Sequence, residues 1–489
     1  MPQGDDRVLV AGQTCWRVER AGQFACVIDG ADYFRHVKAA MLRAQHRIML
    51  IGWDFDTRIV LERGTTTLPG PNQLGTFLYW LLWKRPKLDV YVLKSNLRLL
   101  SAFDDIWYGF TPVAVVNRLS SRRMHLAVDG AHPTGSVHHQ KITVVDDALA
   151  FCGGIDLTLD RWDTREHVHD DRARRAFGRS HGPRHEVAAA VDGAAARALG
   201  EVARDRWQTA TGRTLAPVRA THVAWPRGLA PVLRDVDVAI ARTLPELDGR
   251  TEVREIEALN LAAIAAARSV LYLENQYLAS RALATALAAR LREPDGPEVV
   301  LVLPRRSESP LEQQSMDSAR QLLLTLLWEA DEHDRLGVYW PVTDGGAPIY
   351  VHSKVLIADD RLVRIGSSNL NNRSMGFDSE CDVALEADPT AEDHSHIRDV
   401  IAAIRHDLIG EHLGVCADEF GAALTESGSF LRAVEALRGE GKTLRRFTTE
   451  TVAAESGPLA ENELMDPDHV PRSLARSVQR FLAGFAARP

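Results

Sequence analysis

The sequence lacks any apolar run long enough to cross a membrane, because no window approaches the roughly 20 apolar residues that a bilayer requires. Its first residues, MPQGDDRVLVAGQTCWRVER, contain no basic start followed by an apolar stretch, so we expect no conventional signal peptide. An excess of positive charge is also missing, since the formal net charge is -8. A global field that gathers polyanions is therefore excluded, although a local basic cleft is not.

Cysteine is scarce as well. The five cysteines are odd in number, scattered and without a close pair, which argues against both a disulfide framework and a zinc site. What remains is the composition of an ordinary globular chain, with 45% hydrophobic and 25% charged residues. A chain of 489 residues can bury a large core, and its length suggests two or three domains.

The dominant feature of the sequence is a motif that occurs twice. The stretches VHHQKITVVDD and VHSKVLIADD share the form His-x-Lys-x-x-x-x-Asp, with an apolar run in each gap and a small-residue turn after each copy. Six positions match at a constant offset of 213 residues, which indicates an internal duplication. The matched pairs are His139 and His352, Lys141 and Lys354, Asp146 and Asp359, Gly153 and Gly366, Gly154 and Ser367, and Asp156 and Asn369.

Each copy of the motif sits in a longer alternation of helix and strand patterns. AAMLRAQHRIMLIGWDFD and LNLAAIAAARSVLYLENQYL each run from a helical pattern into a strand, and a short strand followed by a helix comes after each motif. This alternation predicts an α/β fold of two similar halves, each a mixed sheet flanked by helices. The halves should be related by a pseudo-two-fold axis, with the active site at their interface.

Three segments follow from the repeat. We predict an N-terminal half at residues 1–210, with the first motif, and a C-terminal half at residues 211–413, with the second. The seam falls in QTATGRTLAPVRATHVAWPRG, a stretch rich in Thr, Pro and Gly. Residues 414–489 have no counterpart in the first half, and we predict a helical C-terminal extension that packs against the second half.

The spacing within each motif places His beside Lys. In an extended strand, residues i and i+2 point the same way, so His139 shares a face with Lys141, and His352 with Lys354. A histidine beside a fixed positive charge suits an anionic substrate whose charge grows during reaction. Two facing half-sites would surround one phosphate with two imidazoles, one attacking phosphorus and the other protonating the leaving oxygen. We therefore expect the two histidines to lie close together.

The segments after the motifs supply further candidates for binding the phosphate. Glycine at position 154 lets the backbone approach a ligand closely, so Gly154 belongs to this set. Ser367 and Asn369 add hydrogen-bond donors for phosphate oxygens. The first half has Asp156 where the second has Asn369, and we expect Asp156 to orient a partner instead of donating to phosphate.

Other polar and aromatic segments are weaker candidates. The stretch DTREHVHDDRARR, residues 163–175, is dense in acids and histidines, but its charge density favours a solvated loop, and we predict no metal site there. Histidines outside the motifs are interpreted as surface or satisfied core residues. The aromatic stretches at residues 101–112 and 339–350 are candidate rims of a substrate entrance, with core positions as the alternative.

The doubled motif resembles the signature of the phospholipase D superfamily. The resemblance covers roughly residues 16–413, and the stretches GGIDLTLDRWDT, LYLENQYL and GSSNLNNRSMGFDSE are similar to segments of eukaryotic-type phospholipases D. On these segments the chain is more similar to true phospholipases D than to nucleases of the superfamily. Its Ala- and Arg-rich composition looks bacterial.

The resemblance implies a role for each motif residue. One histidine is phosphorylated by the lipid as the alcohol departs, and water or another alcohol then resolves the intermediate. Carried over, His139 is the nucleophile and His352 the general acid and then base, with the opposite assignment open. Lys141, Lys354 and Asn369 hold the phosphate.

Four acids complete the implied site. Glu186 and Glu380 begin matching strands after each motif and are implied to orient the histidines, because a nucleophilic histidine needs its other ring nitrogen held. Surface positions on an edge strand are their alternative. Asp146 and Asp359 complete the two catalytic motifs, and we expect them to brace the strand–turn junction instead of touching phosphate.

The leading functional hypothesis is a phospholipase D that cleaves a glycerophospholipid to phosphatidate and its head-group alcohol, with transphosphatidylation beside hydrolysis. One alternative is a phosphatidyltransferase of the cardiolipin synthase type. Another is a phosphodiesterase acting on nucleic acid, which the net charge of -8 disfavours. Head-group preference stays open at this point.

The hypothesis carries expectations about partners and place. We expect no cofactor and no metal, a phospholipid substrate at a membrane surface, no nucleic-acid partner and no transmembrane segment. A monomer is expected because both half-sites lie in one chain. The expected location is cytoplasmic or peripheral to a membrane, with export by a signal-independent route as the alternative.

Overall fold

The computed structural model describes residues 7–96, 106–108, 111–176, 179–220, 222–247, 249–455 and 466–470. Within these residues, sixteen strands form one sheet that runs through both halves. The main strands of the N-terminal half, β1 to β7, are Arg17–Ile28, Arg47–Gly52, Asp89–Ser95, Met124–Asp129, Ile142–Val145, Leu149–Gly153 and Val187–Asp192. Those of the C-terminal half, β8 to β15, are Leu233–Leu244, Val270–Glu274, Glu298–Val302, Leu336–Val342, Val355–Ala358, Leu362–Gly366, Glu380–Glu386 and Thr443–Arg446.

The two halves of the sheet have the same strand order. From the centre outward, the N-terminal half runs β1-β7-β6-β5-β2-β3-β4, and the C-terminal half runs β8-β14-β13-β12-β9-β10-β11, with β15 added at its edge. The halves join where β1 pairs antiparallel with β8, from Arg17 opposite Ile240 to Phe24 opposite Leu233. Because the strand order is the same on both sides of the antiparallel β1–β8 pair, the two halves are related by a pseudo-two-fold axis. The predicted α/β fold of two similar halves is confirmed.

Helices cover both faces of the sheet. They are α1 to α11, at Gly30–Met41, Leu74–Lys84, Val113–Leu119, Gly193–Thr211, Glu255–Ala266, Arg281–Leu291, Ser318–Ala330, His394–Leu413, Ala417–Ser427, Phe430–Leu437 and Thr449–Val452. None of these described helices combines the length and the apolar character needed to span a bilayer.

The core forms two layers because successive strand residues point to opposite faces. In β3, Val90 and Val92 pack with α1 and α2, whereas Tyr91 and Leu93 pack on the other face with α4. Burying one such valine stabilises the fold by about 1.5–3 kcal/mol. The face that carries α4 and α8 forms a single apolar cluster through both halves, so the halves share a core there.

The segment after α8 extends the second half. Helix α8 ends at Gly414, whose φ of 73° is the left-handed conformation that glycine adopts without strain. The chain then forms α9, α10 and the strand β15, which pairs antiparallel with β11. That edge strand was not part of the predicted helical extension. The boundaries at 210 and 413 stay predictions, and residues 456–465 and 471–489 of the extension lie outside the described residues.

Candidate active site

Each motif pairs with a segment of the other half before the chain enters the sheet. The backbone N–H of His139 donates to the carbonyl oxygen of Ser379 at 2.9 Å, and that of His352 donates to the carbonyl oxygen of His185 at 2.8 Å. Strands β5 and β12 begin directly after the motif lysines, so the histidines precede the strands instead of lying within them. Both motifs thus meet at the interface between the halves.

The two glutamates cross between the halves. His139 Nδ1 lies 3.0 Å from Glu380 Oε1, and His352 Nδ1 lies 2.7 Å from Glu186 Oε1. Both glutamates are fully buried. Because each carboxylate occupies Nδ1, the nitrogen of each ring that can face a substrate is Nε2. Each motif histidine is therefore paired with a glutamate of the other half.

Burial and the motif lysines favour neutral imidazoles. Burial, followed by Lys141 and Lys354, lowers the pKa of His139 well below its ordinary value of 6.5. Burial and then Lys354 lower the pKa of His352 in the same way. Burial raises the pKa of Glu186 to about 7 and raises that of Glu380 well above its ordinary value. A neutral imidazole keeps the lone pair that a nucleophile needs.

The two lysines are buried and have different partners. Each ammonium group donates to the carbonyl oxygen of its own motif histidine, at 2.8 Å for Lys141 and 2.7 Å for Lys354. Lys141 Nζ also lies 3.1 Å from Asp156 Oδ2, whereas Lys354 Nζ donates to Gln276 Oε1 at 3.2 Å. Burial and the nearby Lys141 lower the pKa of Lys354 well below 10.5. Two lysine side chains that converge at this point suit a phosphate anion.

The residues after the motifs have three different environments. A Cβ atom at Gly154 would lie 3.0 Å from the carbonyl oxygen of His352, so glycine permits the close approach of the halves. The hydroxyl of Ser367 donates to Glu380 Oε2 at 2.5 Å and thereby braces that carboxylate. Asn369 is buried, and its Oδ1 has no hydrogen-bond partner among the described residues. Contacts of these residues with phosphate stay predictions.

Two arginines near His352 were missed by the sequence analysis. Arg161 Nε lies 3.7 Å from Glu186 Oε1, and the guanidinium of Arg184 lies 4.7 Å from the ring centroid of Tyr350. Both cations contribute to the lowered pKa of His352, after burial and the motif lysine. Arg161 lies inside the stretch GGIDLTLDRW. At the offset of 213 residues its counterpart is a serine, at position 374, so the repeat does not identify Arg161 as a site residue.

One aromatic ring accompanies each motif histidine. The ring centroids of Trp53 and His139 are 6.4 Å apart, and those of Tyr350 and His352 are 6.3 Å apart. Tyr339, at the other end of the predicted rim at residues 339–350, is buried in the core. Much of the other predicted rim, residues 101–105 and 109–110, lies outside the described residues.

Two family models match the part of the chain that contains the second motif. Residues 341–461 match the family model described as Phospholipase D, and residues 261–400 match the model described as Cardiolipin synthase, PLD-like domain. Together the two matches cover residues 261–461, so this part of the chain is similar to the phospholipase D superfamily. The predicted resemblance to this family is confirmed.

Two plant relatives and one solved structure illustrate the relationship. Phospholipase D alpha 4 of Arabidopsis thaliana is 23% identical over 85% of this chain and 68% of that protein. Phospholipase D delta of the same plant is 23% identical over 80% of this chain and 65% of that protein, so the chain spans about two thirds of these relatives' length. A phosphatidylserine synthase of Haemophilus influenzae shares the fold with a TM-score of 0.54, at 11% identity over 96% of both chains.

The motif aspartates brace turns at the far ends of their strands. The carboxylate of Asp146 accepts three consecutive backbone N–H groups that lead into β2, at 2.5–2.8 Å. The carboxylate of Asp359 accepts the three equivalent groups that lead into β9, at 2.7–2.9 Å. Both residues have positive φ angles, 55° and 56°, which Asp tolerates better than most residues.

We expect Asp146→Ala to lower the free energy of unfolding by about 2–4 kcal/mol, because three N–H groups lose their acceptor and alanine strains at positive φ. Asp146→Asn keeps one acceptor oxygen and should lose less. Urea denaturation followed by tryptophan fluorescence measures both. An Asp146→Ala protein that unfolds at the wild-type urea concentration but lacks all activity would contradict the bracing role.

Proposed function

We propose that the chain is a phospholipase D that hydrolyses the distal phosphodiester bond of a glycerophospholipid to phosphatidate and the head-group alcohol through a phosphohistidine. The observation that carries the proposal is the crossed arrangement of His139 with Glu380 and His352 with Glu186. Similarity to the phospholipase D family supports the coarser statement of a phosphodiesterase-type enzyme that acts on phospholipid.

In the first step, Nε2 of His139 donates its lone pair to phosphorus, and the bond between phosphorus and the head-group oxygen breaks. His352 gives that oxygen the proton of its Nε2–H, while its Nδ1 takes up a proton from Glu186, whose pKa burial raises to about 7, so the ring stays neutral. The His139 side chain is 14% exposed and that of His352 is 5% exposed. The greater exposure favours His139 as the ring that meets the incoming phosphodiester.

In the second step, the neutral His352 takes a proton from water as the water oxygen attacks phosphorus. The N–P bond breaks, its electron pair returns to His139, and phosphatidate is released. An alcohol in place of water would give transphosphatidylation. Throughout, the charge on the non-bridging oxygens would be stabilised by Lys141, Lys354 and Asn369. We propose that Ser367 acts through Glu380 and that Asp156 acts through Lys141.

The second candidate function is a phosphatidyltransferase of the cardiolipin synthase type, which is supported by the family match at residues 261–400. It would form the same intermediate but use a glycerol-bearing acceptor in place of water. In both cases the partner we propose is a phospholipid at a membrane surface, and one chain supplies both half-sites.

The experiment that tests the function uses vesicles of mixed phospholipids with added ethanol, and mass spectrometry identifies the products. We expect phosphatidate and phosphatidylethanol from the wild-type protein and neither product from His139→Asn. Cardiolipin as the main product would favour the transferase. Intact lipids in the presence of folded wild-type protein would count against both candidates.

The nucleophile should stay active at mildly acidic pH. Because the pKa of His139 is lowered well below 6.5, its neutral form persists as the pH falls through that value. We expect kcat/KM with a soluble nitrophenyl phosphodiester to be flat between about pH 8 and pH 6, whereas an imidazole with an ordinary pKa would lose roughly fourfold at pH 6. A descending limb with its midpoint at or above 6.5 would contradict the lowered pKa.

A further inference from the structure

A buried cluster of two histidines and two carboxylates lies next to Glu186 in the chain. Its members are Asp29, His167, His185 and Glu411, of which three are 0% exposed and Glu411 is 6% exposed. Their ligand atoms all lie within 4.8 Å of one another. The four residues come from four separate segments: the junction of β1 and α1, the loop after β6, the residue pair before β7, and the end of α8.

The prediction of a solvated loop at residues 163–175 is wrong for three of its residues, of which Arg174 is 2% exposed. Asp163 and His167 are both 0% exposed. Their charge is accommodated because the loop folds inward against α8, where Arg165 also pairs with Glu411. The scattered positions of the cysteines argue only against metal sites with thiolate ligands. They say nothing about a site made of imidazoles and carboxylates.

The distances between the imidazole nitrogens and the carboxylate oxygens of the cluster are 2.8–3.4 Å. His167 Nε2 lies 3.4 Å from Asp29 Oδ2 and 3.2 Å from Glu411 Oε1. His185 Nδ1 lies 3.3 Å from Asp29 Oδ1 and 2.8 Å from Glu411 Oε1. A tetrahedral ion with bonds of about 2.0–2.1 Å separates its ligand atoms by about 3.3 Å. Three of the four distances lie within about 0.1 Å of that value, and all four ligand atoms are close enough together to share one ion.

Each histidine of the cluster has a carboxylate on its other ring nitrogen. His167 Nδ1 lies 2.9 Å from Asp163 Oδ2, and His185 Nε2 lies 3.0 Å from Glu274 Oε2. Metal-binding histidines almost always donate their second N–H to such a partner, which fixes the tautomer and makes the ligating nitrogen more basic. With a metal bound, these partners would hold both rings with a lone pair facing the centre of the cluster.

A further observation points to a cation. Asp29 is fully buried, and its Oδ2 accepts no hydrogen bond from any described residue although it faces His167. A buried carboxylate oxygen without a donor is costly unless a positive charge lies beside it. The other oxygen, Oδ1, accepts the backbone N–H of Glu186 at 2.9 Å.

We propose that Asp29, His167, His185 and Glu411 bind one structural zinc ion. Two imidazole nitrogens and two carboxylate oxygens in a closed set of four suit zinc, whereas calcium and magnesium prefer six or more oxygen ligands. The two ligand carboxylates balance the charge of a divalent ion. Four protein ligands leave no open position for a substrate, so the ion is structural and takes no part in phosphoryl transfer.

The ion would connect the two halves beside the catalytic cleft. Glu411 belongs to the C-terminal half, and the other three ligands belong to the N-terminal half. His185 directly precedes Glu186, whose N–H is held by Asp29. The zinc would therefore fix the backbone at Glu186, and through it the ring of His352, while its existence does not depend on the proposed reaction.

Protonation of both histidines is the rival account of the same cluster. Burial opposes a charge on His167, but the surrounding carboxylates outweigh burial and raise its pKa to about 9. Two imidazolium rings would then balance the acids without any metal. The rival predicts a folded protein that contains no stoichiometric metal.

The test is metal analysis of the full-length protein purified from zinc-replete culture and desalted. We expect about one zinc per chain in the wild type, and almost none in His167→Gln and Glu411→Gln. His406→Gln, on the same helix as Glu411 but outside the cluster, is the matched control and should retain the zinc. Asp163→Asn should lower the zinc affinity by roughly 10–100-fold, because it removes the partner of a ligand.

Circular dichroism checks the folding of each variant. If the ligand variants do not fold, measurements of zinc on the wild-type protein test the proposal. Zinc that reaches a chromogenic chelator only when the wild-type protein unfolds supports the proposal. A folded wild type without zinc, whose thermal midpoint does not rise when zinc is added, would overturn it in favour of the rival. Retention of zinc by both ligand variants would also overturn it. The zinc measurements use no lipid substrate. Their outcome can therefore be distinguished from that of the lipid assay, which depends on His139.

Discussion

Replacing His139 by asparagine should abolish every covalent adduct, whereas replacing His352 by asparagine should let the adduct accumulate. The first variant lacks the nitrogen that attacks phosphorus. The second variant lacks the acid that protonates the head group, but a nitrophenyl leaving group needs no proton, so His139 is still phosphorylated. The adduct then persists because the same imidazole would activate water in the second step.

Intact-mass analysis after brief exposure to the nitrophenyl ester measures both outcomes. Turnover of natural lipid should fall by a factor of about 10²–10⁴ in His352→Asn, the range expected for loss of a general acid and base. His36→Asn, a histidine outside the motifs, is the matched control and should resemble the wild type. An adduct on the His139 variant with none on the His352 variant would reverse the two roles.

Replacing each glutamate should impair the step that depends on the motif histidine of the other half. Because Glu380 contacts His139, Glu380→Gln should slow formation of the adduct by about 10²-fold or more. Glu186 contacts His352, so Glu186→Gln should leave adduct formation from the nitrophenyl ester nearly intact and slow hydrolysis of the adduct to a similar extent.

Rapid-quench measurement of adduct formation and decay separates the two steps. Glu392→Gln, an exposed position in the C-terminal half, serves as the control for loss of a carboxylate. If each glutamate served the histidine of its own half, the effects of the two variants would be exchanged. Equal loss of both steps in both variants would indicate a general defect of the interface.

The sequence was sufficient for the fold because the duplication is visible residue by residue. The constant offset between the motifs predicted two similar halves, and the apolar runs after Lys141 and Lys354 predicted strands in equivalent places. The crossing of the glutamates could not be predicted in this way. Asp156 and Glu186 are 30 positions apart, whereas Asn369 and Glu380 are 11 positions apart, so the offset is lost between motif and glutamate. Which histidine each acid contacts depends on how the halves meet.

The buried histidine–carboxylate cluster was beyond sequence analysis for a different reason. Asp29 and Glu411 are 382 positions apart, and no spacing rule relates them. Around His167, a high density of charge is typical of a solvated loop. The burial of that loop follows from its packing against α8, a tertiary contact that local composition does not record.

The central position of β1 has a consequence for synthesis of the chain. Its neighbours in the sheet are β7 and β8, and Val187 at the start of β7 comes 159 positions after Ile28. At about 5–20 residues per second, a ribosome takes roughly 10–30 s to make that stretch. During this interval both edges of β1 are without their native partners, and unpaired edges invite pairing with other chains. Strand β1, which is made before β2 to β7, is therefore among the last strands of its half to be paired.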